Sequence, residues 1–396
     1  MNDPRAGDAV VRPALKYGIL ATFAAVMLAG GALRAWHAPL AYDEQHFYLP
    51  AIRAAAQQMP AMTLDYELPS PPLMLIVQAA VWRTTGSVAL LRLLATLALI
   101  GAVFIAARIA APVTRTALLL VLMVGTFPPV LLNAFSLKQH AFTLLFLLAA
   151  LLSWKRERPA LMALFLACGM LTNQLAAALG ITLGLIALHR RQWVALSAIV
   201  CSALPLGLLV IRWRGAQPPA FGRAFPEVPT TPFNPAQLLL MLVMLGFWIA
   251  PLVAGVRAWW VWLLATPMCA ALLHFSGIVR PGGSNIYVTI VGPVMNTIRA
   301  VMHSYGATLA VAALLAAAGF LFFTETVSLE GRLYAAVCAL LLLRVPYFFE
   351  SYYALVICVL WPLISDSIRP RRELIQCLYI GCGVAYATVK VMTASG

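Results

Sequence analysis

The sequence contains few charged residues, and acids are the scarcest of them. Aspartate and glutamate account for 13 of the 396 residues and all four charged types for only 10%, whereas hydrophobic residues make up 63%. A soluble domain of this size needs more polar residues to cover its surface. The composition therefore excludes a soluble enzyme. It predicts an all-α, polytopic transmembrane helix bundle, because apolar runs near or above about 18 residues recur along the whole chain.

Cysteine is present, but not in an arrangement that indicates a disulfide framework or a zinc site. All seven cysteines fall inside apolar runs, and none has CxxC or Cys/His ligand spacing. They are predicted to be small core residues. No cofactor is expected, and nothing in the cysteine pattern calls for a metal.

The apolar runs predict about thirteen membrane spans, and residues 1–396 are treated as one transmembrane domain. Their bounds follow from where each run begins and ends. The predicted spans are 15–33, 88–107, 115–132, 140–153, 159–171, 174–188, 193–211, 236–256, 258–275, 305–323, 332–346, 351–366 and 374–392.

The first apolar run, 18–33, follows three basic residues, Arg5, Arg12 and Lys16. Such a pattern fits either a cleaved signal peptide or an uncleaved signal anchor. The run is long for a signal peptide, and the small-residue cleavage pattern after it is poor. We therefore favour the anchor, with the N-terminus in the cytoplasm.

Clusters of lysine and arginine set the orientation of the other spans, because such residues collect on the cytoplasmic side. The clearest clusters lie at 155–158, 189–191 and 369–372. With these clusters inside, residues 72–83 cannot cross the membrane. They are expected to form an interfacial helix in the first outer loop, which Trp82 and Arg83 at its end would suit.

The opposite ends of the spans form the outer side, predicted to be the periplasmic face of a bacterial inner membrane. The net charge of the chain is +14, and part of the basic excess falls on this side. That excess indicates an anionic partner there, such as lipid phosphates. Nucleic acid is not expected, because no basic soluble domain is present to bind it. The predicted outer segments are 34–87, 133–139, 212–235 and 276–304.

Two adjacent carboxylates, Asp43 and Glu44, lie in the first outer loop. They can simply solvate a helix end, because acids are favoured at helix N-termini. They can also act on a sugar. One carboxylate then removes the proton of an acceptor hydroxyl, and a second favours the positive charge that develops at the anomeric carbon. Both are therefore candidate catalytic residues.

Basic and histidine side chains on the outer side are the candidates for substrate binding, since a departing phosphate needs cationic or hydrogen-bonding groups. Lys138 lies at a predicted helix start, where its charge opposes the helix dipole. Contact with a substrate phosphate or with a lipid headgroup would offset this unfavourable interaction. The substrate-binding candidates are His46, Lys138, His140, Arg280 and Arg299.

The sequence resembles the GT-C superfamily of integral-membrane glycosyltransferases. The likeness lies in an acidic motif after the first span, Tyr42-Asp43-Glu44, followed by a turn into an interfacial helix, Ser70-Pro71-Pro72-Leu73. It is closest to the protein O-mannosyltransferase and aminoarabinose-transferase branch. A fainter likeness to a eukaryotic family of glucosyltransferases lies in Asp43-Glu44 with His46 and Pro50. The clear resemblance covers roughly residues 15–160.

The resemblance implies a polyprenyl- or dolichyl-phosphate sugar donor, an inverting reaction and Asp43 as the base. The acceptor would be a glycan, lipid or protein hydroxyl. Many relatives carry a further acid in the second outer turn, but residues 133–140 contain none here. This departure argues against a metal-dependent variant.

Two other classes of protein remain as alternatives. A transporter or flippase for lipid-linked or other anionic solutes should carry charged residues deep within its spans and broken helices near the midplane. In this chain the charges cluster at the outer ends, which favours the enzyme. An assembly or scaffold protein without chemistry would tolerate any residue in place of Asp43.

Overall fold

The protein is described from a computed structural model. Throughout the residues that it describes, the chain is helical and contains no β-strand, which confirms the predicted all-α class. The structure describes residues 11–110, 114–224, 236–253, 259–275, 305–324, 327–343, 350–368 and 372–393.

The chain divides into two compact units. The larger unit takes its described residues from Gly7–Val228 and Cys377–Gly396, and the smaller from Pro229–Gln376. The predicted outer loop 276–304 lies outside the described residues, as does the part of the loop 212–235 that follows residue 224.

In the larger unit, helices coincide with the predicted spans to within a few residues, and three additional helices lie in the predicted outer loops. Its described helices are Pro13–His37 (α1), Leu49–Gln58 (α2), Leu73–Thr85 (α3), Val88–Ile109 (α4), Arg115–Thr126 (α5), Pro128–Asn133 (α6), His140–Lys155 (α7), Pro159–Met170 (α8), Ala177–His189 (α9), Trp193–Trp213 (α10) and Pro219–Ala224 (α11).

Local sequence signals explain where α3 ends and α4 begins. Gly86 follows α3 with a φ of 60°, a left-handed conformation that glycine adopts without a steric penalty. The hydroxyl of Ser87 then accepts a hydrogen bond from the backbone N–H of Leu90, which satisfies a free donor at the start of α4. Two helices can therefore follow each other with almost no loop between them.

The predicted span 115–132 is broken into α5 and α6. Pro128 and Pro129 have no backbone N–H to donate, and a residue that precedes proline is driven out of the helical conformation. Phe127 accordingly has a ψ of 119°. The break brings the backbone to the turn before α7, where part of the candidate site lies.

The smaller unit contains a close helix crossing between its first and fourth helices. A Cβ atom on Gly246 would overlap the backbone of Leu315, and one on Gly319 would overlap the backbone of Leu242. Glycine at such contacts lets two backbones approach, as membrane helices commonly do.

The described helices of the smaller unit are Ala236–Trp248 (α12), Ala250–Val253 (α13), Trp259–Phe275 (α14), Tyr305–Thr324 (α15), Leu329–Leu342 (α16) and Glu350–Ile364 (α17). The last described helix, Glu373–Thr393 (α18), begins in the smaller unit, but most of it belongs to the larger unit.

Among the described residues, three helices are long and apolar enough to cross a membrane: α1, α4 and α10. Large apolar side chains on α10 remain exposed, including Val194, Leu208 and Ile211, as expected for a helix that faces lipid. Helix α3 is about 20 Å long at 1.5 Å per residue, short of a hydrocarbon core of about 30 Å. The helix predicted at 72–83 is thus present, and its placement in the interface stays a prediction.

Candidate active site

The segment that follows α1 directs its two carboxylates into different surroundings. A π-helical turn, Glu44–Tyr48, leads directly into α2. The Glu44 side chain is fully buried, whereas the side chain of Asp43 keeps 42% of its surface exposed. Only one member of the predicted catalytic pair is therefore open to a substrate.

Glu44 forms a buried ion pair with Arg92, in the second turn of α4. Arg92 Nη2 lies 2.5 Å from Glu44 Oε2, and Arg92 Nε lies 3.2 Å from Glu44 Oε1. This two-point contact is the strong geometry for a guanidinium and a carboxylate. Both side chains are almost completely inaccessible. Each charge is tolerated in the interior because the other neutralises it.

Each carboxylate oxygen of Glu44 also accepts a hydrogen bond from the backbone. The N–H of Ala41 donates to Oε2 at 2.9 Å, and the N–H of Leu137 donates to Oε1 at 3.0 Å. The four hydrogen-bonding groups that contact this carboxylate are thus all donors. Through them Glu44 joins the loop after α1 to the turn before α7.

Arg92 binds the end of α1 with its remaining donors. Nη1 donates to the carbonyl oxygens of Arg34 and Ala38 at 3.2 and 2.9 Å, and Nη2 donates to that of Pro39 at 2.9 Å. The last carbonyl groups of a helix lack partners inside the helix and form the negative end of its dipole. The guanidinium therefore caps α1 and neutralises Glu44 at the same time.

The turn before α7 is held by side chains from three other segments. Thr96 Oγ1 donates to the carbonyl oxygen of Ala134 at 2.9 Å, and Gln78 Nε2 donates to that of Leu137 at 2.8 Å. Since the N–H of Leu137 is bound to Glu44, both backbone polar groups of Leu137 are occupied. The backbone immediately before Lys138 is consequently fixed.

Lys138 and Asp43 meet at the surface of this junction. Lys138 Nζ lies 2.7 Å from Asp43 Oδ2, and the lysine side chain is 27% exposed. The structure therefore brings the predicted base into contact with one of the predicted phosphate ligands. It also supplies the partner that a lysine near a helix start needs to offset the helix dipole.

The two ion pairs of the site differ in how firmly they are held. A pair at the protein surface contributes only about 0–1 kcal/mol, whereas removing one member of a buried, hydrogen-bonded pair costs about 3–5 kcal/mol. Asp43 and Lys138 can consequently exchange each other for new partners at small cost. Glu44 and Arg92 form the fixed part of the site.

The other predicted substrate-binding residues occupy different environments. His46 is exposed, and its ring centroid lies 4.4 Å from that of Tyr42, itself 69% exposed. His140 is buried at the first residue of α7. Arg280 and Arg299 lie outside the described residues.

The proline-rich part of the predicted first outer loop is hydrogen-bonded to residues at the ends of other helices. Gln174 Nε2 donates to the carbonyl oxygens of Pro69 and Ala216, both at 2.8 Å. Trp213 Nε1 donates to the carbonyl oxygen of Leu64, also at 2.8 Å. These bonds join segments that the sequence assigns to one side of the membrane.

A second exposed ion pair lies in the same region. Asp65 Oδ2 lies 2.7 Å from Arg223 Nη2, and Asp65 Oδ1 accepts a hydrogen bond from the N–H of Ala220 at 2.5 Å. The bond from Arg223, followed by that from Ala220, lowers the pKa of Asp65. This contact tethers the loop to α11.

Sequence reasoning missed Arg92, the partner of Glu44. The available signal was a single arginine early in the apolar run 88–107, because an arginine within such a run is as a rule paired or functional. That signal marks the position but does not identify the acid that pairs with it.

No cluster of three or more His, Cys, Asp or Glu side chains that could hold a metal ion occurs in the described part of the chain. The sequence-based view that a metal is not required stays a prediction.

In the part of the chain that the structure describes, the fold is all-helical and three helices are able to cross a membrane, which indicates a membrane protein. Comparison with protein-family models, curated proteins and solved structures finds no match to it.

Proposed function

We propose that the chain is an inverting glycosyltransferase that moves a sugar from a polyprenyl-phosphate donor to an acceptor hydroxyl at the outer membrane face. The observation that carries this proposal is the contact between Asp43 and Lys138. The contact lies next to the buried Glu44–Arg92 ion pair, which fixes the surrounding backbone. A carboxylate and an ammonium group are the two charged groups that the transfer needs side by side.

In the proposed reaction, the acceptor oxygen attacks the anomeric carbon from the side opposite the phosphate. The bond between the anomeric carbon and the phosphate oxygen breaks, and the phosphate leaves with the electron pair of that bond. The acceptor proton passes to Asp43, which acts as general base, a role worth about 10²–10⁴ in rate. The configuration at the anomeric carbon inverts because one displacement takes place.

Lys138 has two successive partners in this proposal. Before the donor binds, its ammonium group pairs with Asp43 at 2.7 Å. The donor phosphate then replaces Asp43 as the partner of Lys138. This exchange costs little free energy because the ion pair is partly exposed. This exchange frees Asp43 to accept the acceptor proton. The donor would therefore bind before the acceptor becomes reactive.

Glu44 takes no direct part in the transfer that we propose. Sequence reasoning placed it beside Asp43 as a second catalytic acid, but each of its oxygens accepts two hydrogen bonds and its side chain is buried. A carboxylate in this state has no free face for a sugar. We assign it to the scaffold of the site.

The location of the buried charge weighs against a transporter. Arg92 lies in the second turn of α4, and it binds loop carbonyls at the end of α1. A charge that serves transport should lie deeper within the span. The enzyme remains the function that these residues support best, in the inner membrane of a bacterium with its site toward the periplasm.

The test is sugar transfer from a panel of polyprenyl-phosphate hexoses and pentoses, with purified wild-type protein and Asp43→Asn. We expect the wild type to consume one donor and the variant to be at least about a hundredfold slower. Asp65→Asn serves as the matched control, because it removes an exposed aspartate from another ion pair in the same outer loop. A wild type that binds these lipids but consumes none would contradict the proposal.

A further inference from the structure

We infer that Glu44 is a positioning residue. Arg92 holds the Glu44 carboxylate, and Glu44 in turn sets the distance between Asp43, the base, and Lys138, which binds the donor phosphate. The inference deepens the proposed function, and its catalytic consequence depends on that function. It assigns a separate role to each of the two adjacent acids.

The geometry places one carboxylate next to both members of the exposed pair. Asp43 directly precedes Glu44 in the chain, and Lys138 directly follows Leu137, whose N–H donates to Glu44 Oε1 at 3.0 Å. A shift of the Glu44 carboxylate would therefore move the backbone at both ends of the Asp43–Lys138 contact. Because reactive groups must be aligned closely, a displacement of about 1 Å can cost about a hundredfold in rate.

Arg92 is required because it fixes the carboxylate itself. It binds both Glu44 oxygens and also three carbonyl oxygens between residues 34 and 39. The loop that carries Asp43 and the carboxylate that accepts the N–H of Leu137, the residue before Lys138, are thus both bound to one guanidinium. Lysine cannot reproduce this role, because it is a point charge without the planar fork of donors.

The chosen variants keep the charges and change only the reach. Glu44→Asp retains a carboxylate but shortens the side chain by one methylene, so it cannot contact both Arg92 and the Leu137 N–H as Glu44 does. Arg92→Lys retains the cation and loses the two-point contact. Asp65→Asn is the matched control, since it breaks an exposed ion pair elsewhere in the same loop.

The decisive experiment is a double-mutant cycle on kcat/KM for the donor, with Glu44→Asp and Lys138→Gln. Residues that act through one another give non-additive effects, whereas independent sites give additive ones. In the wild-type background we expect Lys138→Gln to lower kcat/KM about ten- to a hundredfold, as for loss of a hydrogen bond to a charged group. In the Glu44→Asp background the same change should cost less than about threefold.

A second readout does not depend on activity. Hydrogen exchange of the backbone amides at 134–138 should accelerate in Glu44→Asp and in Arg92→Lys, because the Leu137 N–H loses its acceptor. The same amides should be unchanged in Asp65→Asn. Arg92→Lys should also reproduce the non-additive cycle with Lys138→Gln.

Each result bears on the inference. An additive cycle, or unchanged exchange at 134–138, would overturn it while leaving the proposed transferase intact. Loss of folding in both Glu44→Asp and Arg92→Lys would assign the pair a structural role only and would also overturn it. If the wild type transfers no sugar, the proposed function fails, and the exchange measurement still decides whether Glu44 holds the two segments together.

Discussion

The backbone N–H of Leu137 donates a hydrogen bond to the carboxylate of Glu44 at 3.0 Å, across 93 residues of the chain. One buried side chain therefore connects the predicted first outer loop to the turn before α7. Stability and site geometry depend here on the same group, while the exposed Asp43–Lys138 contact beside it contributes little to stability. The contributions of the two ion pairs to stability can consequently be distinguished by experiment.

Removing the charge of Glu44 should destabilise the larger unit strongly. Glu44→Gln leaves Arg92 buried without its partner and turns an NH₂ group toward two donors. We expect the free energy of unfolding to fall by about 3–5 kcal/mol. Denaturant unfolding followed by tryptophan fluorescence, to which Trp213, a buried residue of the same unit, contributes, measures this change.

Lys138→Gln is the matched comparison for stability. Its partner Asp43 is partly exposed, so water replaces the lost contact and the free energy of unfolding should change by no more than about 1 kcal/mol. Equal losses for Glu44→Gln and Lys138→Gln would contradict the distinction between a fixed and an exchangeable pair.

Lys138 should determine affinity for the donor. Lys138→Gln removes the ammonium group that we assign to the phosphate, and the donor KM should rise about ten- to a hundredfold. Lys138→Arg keeps the charge and should restore part of the affinity. Steady-state kinetics at varied donor concentration measure both. A lower kcat at unchanged donor KM would place Lys138 outside the phosphate site.

The tether between Asp65 and Arg223 should open at acidic pH. The bond lowers the pKa of Asp65 in the folded protein. It therefore stabilises the tether above the unfolded pKa of about 3.9 and is lost as the pH falls through the lower folded value. Trp213 reports the opening, because its ring lies 6.2 Å from that of Tyr66, next to Asp65.

The measurement is the difference in fluorescence between the wild type and Trp213→Phe as the pH is lowered. In Asp65→Asn, the acidic signal should already be present at neutral pH and should not change further. A transition of the same size in Asp65→Asn would mean that another group is responsible.

Apolar runs in the sequence were sufficient to locate most helices, because such a run is a local property. The predicted spans 88–107 and 193–211 correspond to α4 at 88–109 and α10 at 193–213. A helix end near Asp43 and Glu44 was one interpretation of the sequence, but the bounds of α2, Leu49–Gln58, were not predicted, since this helix is short and only weakly apolar. Pro128 likewise ended a predicted span that hydropathy alone would continue.

The sequence was sufficient to choose several residues of the candidate site, but not to predict which of them contact each other. Asp43 and Lys138 were both chosen from the sequence: Asp43 because two adjacent acids stand out in a chain with only 13 acids, and Lys138 because its charge opposes the helix dipole. Their contact depends on how two distant segments pack, and no local pattern encodes it. The burial of Glu44 depends on Arg92 in the same way, so its difference from Asp43 became visible only in the fold.

The orientation of the chain can be tested with two single cysteines. Glu67 and Arg156 are both exposed, and three predicted crossings lie between them if α3 does not span: α4, the α5–α6 segment and α7. An odd number of crossings places the two positions on opposite sides. The exposed native cysteines, Cys201, Cys377 and Cys382, are first replaced by serine.

In bacterial cells with a permeable outer membrane, an impermeant maleimide should label Glu67→Cys directly. It should reach Arg156→Cys only after the inner membrane is disrupted, because lysine and arginine clusters stay in the cytoplasm. The reverse pattern would place the Asp43 site in the cytoplasm. Labelling of both positions from one side would mean an even number of crossings, as expected if α3 spans the membrane, and would contradict the interfacial placement of that helix.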